Sequence, residues 1–293
     1  MATINKIFII LGILALGTIL IYATTNSKSA DTTTSKYFPT AIDFAGESTP
    51  LNIVDVYERM DRELLINVNL HSSTILIIKR ANKFFPIIEP ILVKYNIPDD
   101  FKYLAVIESS LVTASVSKAG ASGIWQFMKP TAVERGLEVS ESVDERYHLE
   151  KSTEAACKYL IAAKERLGSW TLAAASYNGG TAGISKQLES QQVANYYDLL
   201  LTDETSRYVF RILALKEIMK NPVGYGFTIS PNDLYKNNTT TKIEIDSSIS
   251  NLATFAKQKG INYKILKYYN PWLRDKKLDN LNKKKYIIEL PTL

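Results

Sequence analysis

The stretch "YLAVIESSLVTASVSKAGASGIWQFMKPTA", residues 103–132, opens as an apolar helix with one carboxylate and ends in small residues and aromatics. Extended back to "NIPDDFKYLAVIESSL", it sets Phe101, Leu104, Ala105, Glu108 and Leu111 at spacings i, i+3, i+4, i+7 and i+10, one face of a helix. Glu108 therefore shares the face that must be buried. Burial disfavours a charged carboxylate, so the pKa is expected to rise, and a protonated carboxylic acid near neutral pH is a competent general acid. Taken alone, the helix leaves a second reading open, a Glu paired with a buried Arg. The next residues favour chemistry. Ser115, Ser117, Gly120, Ala121, Ser122 and Gly123 allow close backbone approach and leave a groove beside the carboxylate. Trp125, Phe127 and Met128 then offer an apolar wall, and Gln126 an amide that both donates and accepts. That combination suits a sugar.

Helical patterns surround this segment. "IVDVYERMDRELLINV" carries Ile53, Val56, Met60, Leu64 and Val68 at helical spacing. "STEAACKYLIAAKERLG" predicts a helix opened near Ser152 and Glu154 and closed by Gly168. "ETSRYVFRILALKEIMKNP" puts Tyr208, Ile212, Leu215 and Met219 on one face and stops before Pro222. Strand-like alternation is nearly absent from 51 to 219. The turn-rich "SPNDLYKNNTTT" (230–241) separates these helices from a different pattern. There "KIEID" and "KKKYIIELP" read as strands flanking two short helices, a βααβ unit, with a packed C-terminal extension as the other reading.

Bulk properties narrow the function. Hydrophobic residues make up 46% and charged residues 22% of 293, an ordinary globular balance that argues against wholesale disorder. The net charge of +5 suits an anionic partner such as cell wall or lipid headgroups. Nucleic acid is not expected, because no recognition motif accompanies the charge. One cysteine, Cys157, allows no intrachain disulfide, and His71 and His148 lie at no metal-ligand spacing, so neither metal nor cofactor is expected. Near the N-terminus "IFIILGILALGTILIY" (7–22) runs sixteen residues without a charge, short for a spanning helix and suited to an export signal. Ala23 and Ala30 are the cleavage positions on offer, but the residue two positions earlier, at −3 of the cleavage site, is Ile21 or Lys28 and not small, which favours an uncleaved anchor. No cysteine lies nearby, so a lipoprotein is excluded. The expected order is a signal peptide or anchor (1–30), a polar linker (31–50), a helical catalytic domain (51–229), a linker (230–241) and a small module (242–293). The protein is expected to be exported to the cell envelope or periplasm, held at the inner membrane by residues 7–22.

The ordered set Glu108-Ser109, Ser117, "GASGIWQFMKPTA" (120–132), "SYNGG" (176–180) and "ETSRYV" (204–209) resembles the lysozyme-like lytic transglycosylases of glycoside hydrolase family 23. The likeness runs over roughly residues 90–222 and is nearest to the membrane-bound murein D subfamily. "SISNLATFAKQKGINYKILKYYNPW" with "YIIELP" is similar to a LysM module, with a longer 270–283 loop. The implied fold is mainly α, a lysozyme-like helical domain followed by a βααβ LysM-like module. Glu108 is implied as the single catalytic acid and base, with Ser109 and Ser117 beside the muramyl sugar. Gln126 and Met128 would line the groove at the cleaved bond. Tyr177 would hydrogen-bond near the carboxyl, Asn178 would hold that loop, and Glu204 and Tyr208 would close the far wall. The chain departs from the family pattern at Val112-Thr113, Ser115, Ser176, Gly179 and Lys129-Pro130, which bears on loop shape and removes no functional group.

The implied reaction is cleavage of the β-1,4 bond between N-acetylmuramic acid and N-acetylglucosamine in peptidoglycan strands, leaving 1,6-anhydromuramyl ends. A glycosidase ordinarily needs two carboxylates. None lies between Ser109 and Thr131, which suits a route in which the substrate's own hydroxyl is the nucleophile. The alternatives are a goose-type lysozyme that admits a water, and a non-catalytic peptidoglycan-binding protein.

Overall fold

The computed structural model describes residues 38–292. The apolar segment 7–22, with its expected role as signal or anchor, lies outside them. Among the described residues no helix is long and apolar enough to cross a membrane.

The chain enters through a short hairpin, β1 (Asp43–Phe44) and β2 (Glu47–Ser48), with Asp43 opposite Ser48. Phe44 is fully buried, edge-on to Phe101 at 5.0 Å. Glu47 accepts hydrogen bonds from the Trp170 and Thr171 amides at 2.6 and 2.8 Å. Residues 39–50, expected to finish a polar linker, are thus built into the body. Strands of two residues are too short for alternation to reveal them.

Eight helices follow: α1 (Val54–Asn69), α2 (His71–Lys94), α3 (Lys102–Ser109), α4 (Lys129–Glu134), α5 (Leu149–Leu167), α6 (Trp170–Gly179), α7 (Thr181–Gln191) and α8 (Asp203–Lys220). The centre is α8, against which α1, α3 and α6 all pack. Its buried residues include Tyr208, Val209, Phe210, Ile212, Leu213, Ala214, Leu215 and Ile218, apolar nearly all round, as a helix enclosed by others must be. Lys216 is buried too, because Asp100 (2.6 Å) and the Asp43 carbonyl (2.6 Å) hold its ammonium. Helix α5 starts at Leu149, before the expected Ser152 cap; the Ser152 hydroxyl donates to the Leu149 carbonyl inside the helix instead. Its end is as expected, Gly168 at φ +82°.

The βααβ pattern is present: β3 (Thr240–Ile245), α9 (Leu252–Gln258), α10 (Tyr263–Tyr269) and β4 (Tyr286–Pro291). The strands pair antiparallel, Thr240 opposite Pro291 and Ile245 opposite Tyr286. Asn251 and Asn262 cap the two helices through their side-chain oxygens. Leu252, Ala256, Leu266, Trp272, Leu278, Tyr286 and Ile288 form the module's core, which Val143 and Tyr147 join from the segment before α5. The stretch 230–241 is fastened along α2: the Tyr235 amide donates to Lys79 (3.2 Å), Asn82 donates to the Tyr235 carbonyl (2.9 Å), and Asn237 donates to Lys83 (2.6 Å).

Candidate active site

Helix α3 is only eight residues long and ends immediately after Glu108. Ser110 and Leu111 both take left-handed backbone angles, φ +51° and +57°, at a cost of about 1–2 kcal/mol each for non-glycine residues. The helical spacing extended to Leu111 therefore overshoots, although Leu111 is still buried, through a turn. Arg80 donates to the Ser110 carbonyl at 3.2 Å and helps hold this turn. Strain of this kind persists where surroundings over-determine it, often at functional sites.

Glu108 is mostly enclosed, and Tyr208, buried on α8, donates its phenol hydrogen to Glu108 Oε1. Desolvation dominates and pushes the carboxyl pKa up from 4.5 to about 7; the Tyr208 hydrogen bond and the Arg211 charge pull it down, while Glu204 adds a smaller upward push. Tyr208 itself is held well above the usual phenol range by burial and by the Glu108 charge, so it acts as a donor. Arg211 donates to the Ile107 carbonyl at 3.2 Å, one residue before Glu108.

Tyr177 sits near the end of α6. Its hydroxyl donates to the Trp125 carbonyl at 2.8 Å, and burial followed by the Glu108 charge raises its pKa. Its ring meets Phe127 and Tyr159 edge-on at 5.9 and 5.1 Å. Asn178 ties α6 to α8: it donates to Glu204 Oε1 (3.0 Å) and accepts from the Thr205 hydroxyl (2.7 Å). Glu204 is exposed on its outer side. Glu108, Tyr177, Asn178, Glu204 and Tyr208 thus converge from three helices.

The small-residue segment wraps into a loop beside them. Gln126, at φ +48°, spends its amide hydrogens on the carbonyls of Gly123 (2.7 Å) and Ser115 (3.2 Å), leaving its carbonyl as the group for a ligand. Ser117 closes a turn, its hydroxyl accepting from the Ala121 amide at 3.0 Å. Met128 is 42% exposed. Ser109, in contrast, turns its hydroxyl back to the Ala105 carbonyl at 3.3 Å. The expected apolar wall needs correction: Trp125 and Phe127 are buried, Trp125 donating to the Thr153 hydroxyl at 2.8 Å. Met128 alone of the three offers a surface.

Sequence reasoning missed Arg146 and Arg211. Arg146 forks onto Asp144 (2.9 and 2.7 Å) and donates to the carbonyls of Gly120 (3.0 Å) and Phe127 (3.2 Å). Nothing local in "VDERYHL" announces that the Arg146 guanidinium reaches back to Gly120 and Phe127. Arg211 stands three residues after Tyr208, a helical spacing that would have found it had Tyr208 been taken as the carboxyl's partner.

Residues 86–200 match the Transglycosylase SLT domain, and residues 241–293 match the Soluble lytic transglycosylase C-terminal LysM-like domain. Two curated relatives, each a membrane-bound lytic murein transglycosylase D, come from Escherichia coli strain K12 and from Escherichia coli O6:H1 strain CFT073. Each is 27% identical over 235 residues, covering 78% of this chain and 50% of the relative. The chain spans about half the length of the curated relatives it matches. It carries an SLT transglycosylase domain followed by a LysM-like domain, and the mainly helical, lysozyme-like architecture expected from the sequence holds.

Proposed function

We propose that the chain is a peptidoglycan lytic transglycosylase in which Glu108 serves in turn as acid and base. One observation carries this reading: a single enclosed carboxyl, its pKa pushed up to about 7, beside two phenols and one guanidinium. A group poised near neutral pH can release a proton in one step and take one back in the next. Protonated Glu108 gives its proton to the glycosidic oxygen between N-acetylmuramic acid and N-acetylglucosamine, and the muramyl C1–O bond breaks. The substrate's acetamido group steadies the oxocarbenium-like centre. Glu108, now a carboxylate, takes the proton of the muramyl C6 hydroxyl as that oxygen bonds to C1. A 1,6-anhydro ring results, and no water is consumed.

In this reading Tyr208 steadies the carboxylate between the two steps and Arg211 limits the rise in its pKa. Gln126, Met128 and Ser117 line the glycan groove, with Tyr177 and Asn178 fixing its wall. The LysM-like module and the net positive charge suit a wall-bound enzyme, exported and held at the membrane by residues 7–22. Cleavage of purified sacculi in oxygen-18 water tests the chemistry. Products should carry no label, resist borohydride and be one water lighter than the corresponding reducing sugars. Glu204 acts electrostatically on Glu108 and is the carboxylate that would have to hold a water in the hydrolytic alternative. Labelled, reducible ends would make the protein a goose-type lysozyme, and intact sacculi a peptidoglycan-binding protein.

A further inference from the structure

The segment 142–147 belongs to two packed regions at once. On one side it completes the C-terminal module. Val143 and Tyr147 are buried in that module's core, the Asp144 amide donates to the Trp272 carbonyl (2.9 Å), and the Arg274 amide donates to the Ser142 carbonyl (2.9 Å). The Arg274 guanidinium lies 4.0 Å from the centre of the Tyr147 ring. At the rim, Lys284 reaches Glu145 at 3.2 Å and also pairs with Glu138 at 2.5 Å.

On its other side the same segment holds the groove. The Asp144 carboxylate fixes the Arg146 fork, and Arg146 donates to Gly120 and Phe127, near the two ends of the loop that carries Gln126. Gly123 rests on the Arg146 backbone so closely that a Cβ there would lie 2.0 Å from the carbonyl oxygen. The loop has little regular structure, so its carbonyls depend on donors from elsewhere. A planar guanidinium can grip both oxygens of a carboxylate and still reach two such carbonyls, four acceptors that the three donors of an ammonium cannot all satisfy.

We infer that the C-terminal module positions the glycan groove, acting through Asp144 and Arg146 on the loop 120–127; this rests on the transglycosylase reading of that groove. Arg146 is a positioning residue. The module thereby contributes to turnover itself as well as to wall attachment.

Two full-length variants test this. Arg274→Ala with Lys284→Ala removes exposed side chains at the seam only. Arg146→Lys leaves the seam intact and removes the fork. Turnover is measured on soluble, uncross-linked glycan strands, where wall adsorption plays no part, together with deuterium exchange of peptides covering 117–127. Both variants should lose about tenfold in kcat with KM within about twofold, because a small displacement of a positioning element acts on the chemical step. Exchange in 117–127 should rise while α8 keeps its protection. The alkaline limb of kcat/KM should not move, since the neighbours of Glu108 are untouched. Unchanged kcat, with faster exchange confined to 240–290, would overturn the inference. Should the wild-type protein release no product at all, the enzymatic reading fails, and exchange in 117–127 still decides whether the module supports the loop.

Discussion

The phenol of Tyr208 donates its hydrogen bond to Glu108 from a helix 100 positions further along the chain. That bond favours the carboxylate, so it opposes the burial that favours the acid. Tyr208→Phe should therefore raise the Glu108 pKa above its present value of about 7 and shift the alkaline limb of kcat/KM to higher pH. Activity should fall about 10–100-fold through the lost support of the charged intermediate state. A pH profile superimposable on wild type would show that the phenol does not act on Glu108.

Glu108 also leaves a signature in stability. Its pKa is near 7 in the folded protein and 4.5 ordinarily. Below pH 4.5 both states hold the proton and no penalty exists. Between 4.5 and 7 the folded protein keeps a proton that the unfolded chain has shed, so stability falls as pH rises. Above 7 the penalty is complete, roughly 3 kcal/mol at about 1.4 kcal/mol per unit. Glu108→Gln carries no charge to bury and should be the more stable protein at pH 8, with the gap closing by pH 4.5. Urea unfolding at the two pH values measures it, and a gap that ignores pH would contradict the burial argument.

Gly123→Ala should be among the most damaging single-methyl changes in the chain. The backbone is at φ +81°, and the added Cβ would meet the Arg146 carbonyl oxygen at 2.0 Å. Strain and overpacking together should cost about 3 kcal/mol or more. Thermal melting of the variant checks this, and a wild-type midpoint would mean that the loop moves aside freely.

Glu47→Ala removes the carboxylate that accepts from the Trp170 and Thr171 amides and from the Thr171 hydroxyl at 2.7 Å. The first turn of α6 would lose two of its backbone partners, at about 1–2 kcal/mol. Ser169 still caps the Leu172 amide, so the helix should persist. Denaturant unfolding should show a lower midpoint with an unchanged slope; an unchanged midpoint would mean that water replaces the carboxylate without loss.

The spacing marked Phe101, Leu104 and Ala105 as inward, and all three are fully buried, but Tyr103, Val106 and Ile107 off that face are buried as well, so α3 is enclosed on nearly every side. The stop after Ser109 was not legible, since Ser110 and Leu111 carry no glycine or proline to announce left-handed backbone. Trp125 beside Gln126 resembles a sugar platform in sequence, but its indole is fully buried and donates to the Thr153 hydroxyl, which makes it core. The pairing of Glu108 with Tyr208 depends on α3 lying against α8, which local pattern cannot encode; the ordered family motifs brought both residues to notice. Arg146 was missed for the same reason, its carbonyl partners Gly120 and Phe127 being distant in sequence, whereas the 43–48 hairpin escaped because two-residue strands show no alternation.

The strap from 230 to 241 bears on how such a chain can be taken apart. Its composition marks it as the natural place for a protease to cut and for an engineer to splice. Yet the Tyr235 amide and carbonyl are both bonded to α2, so the backbone there is not offered as an extended substrate. A LysM-like unit transplanted without the matching surface of α2, or without the Val143 and Tyr147 side chains that complete its core, would leave behind its moorings and part of its interior.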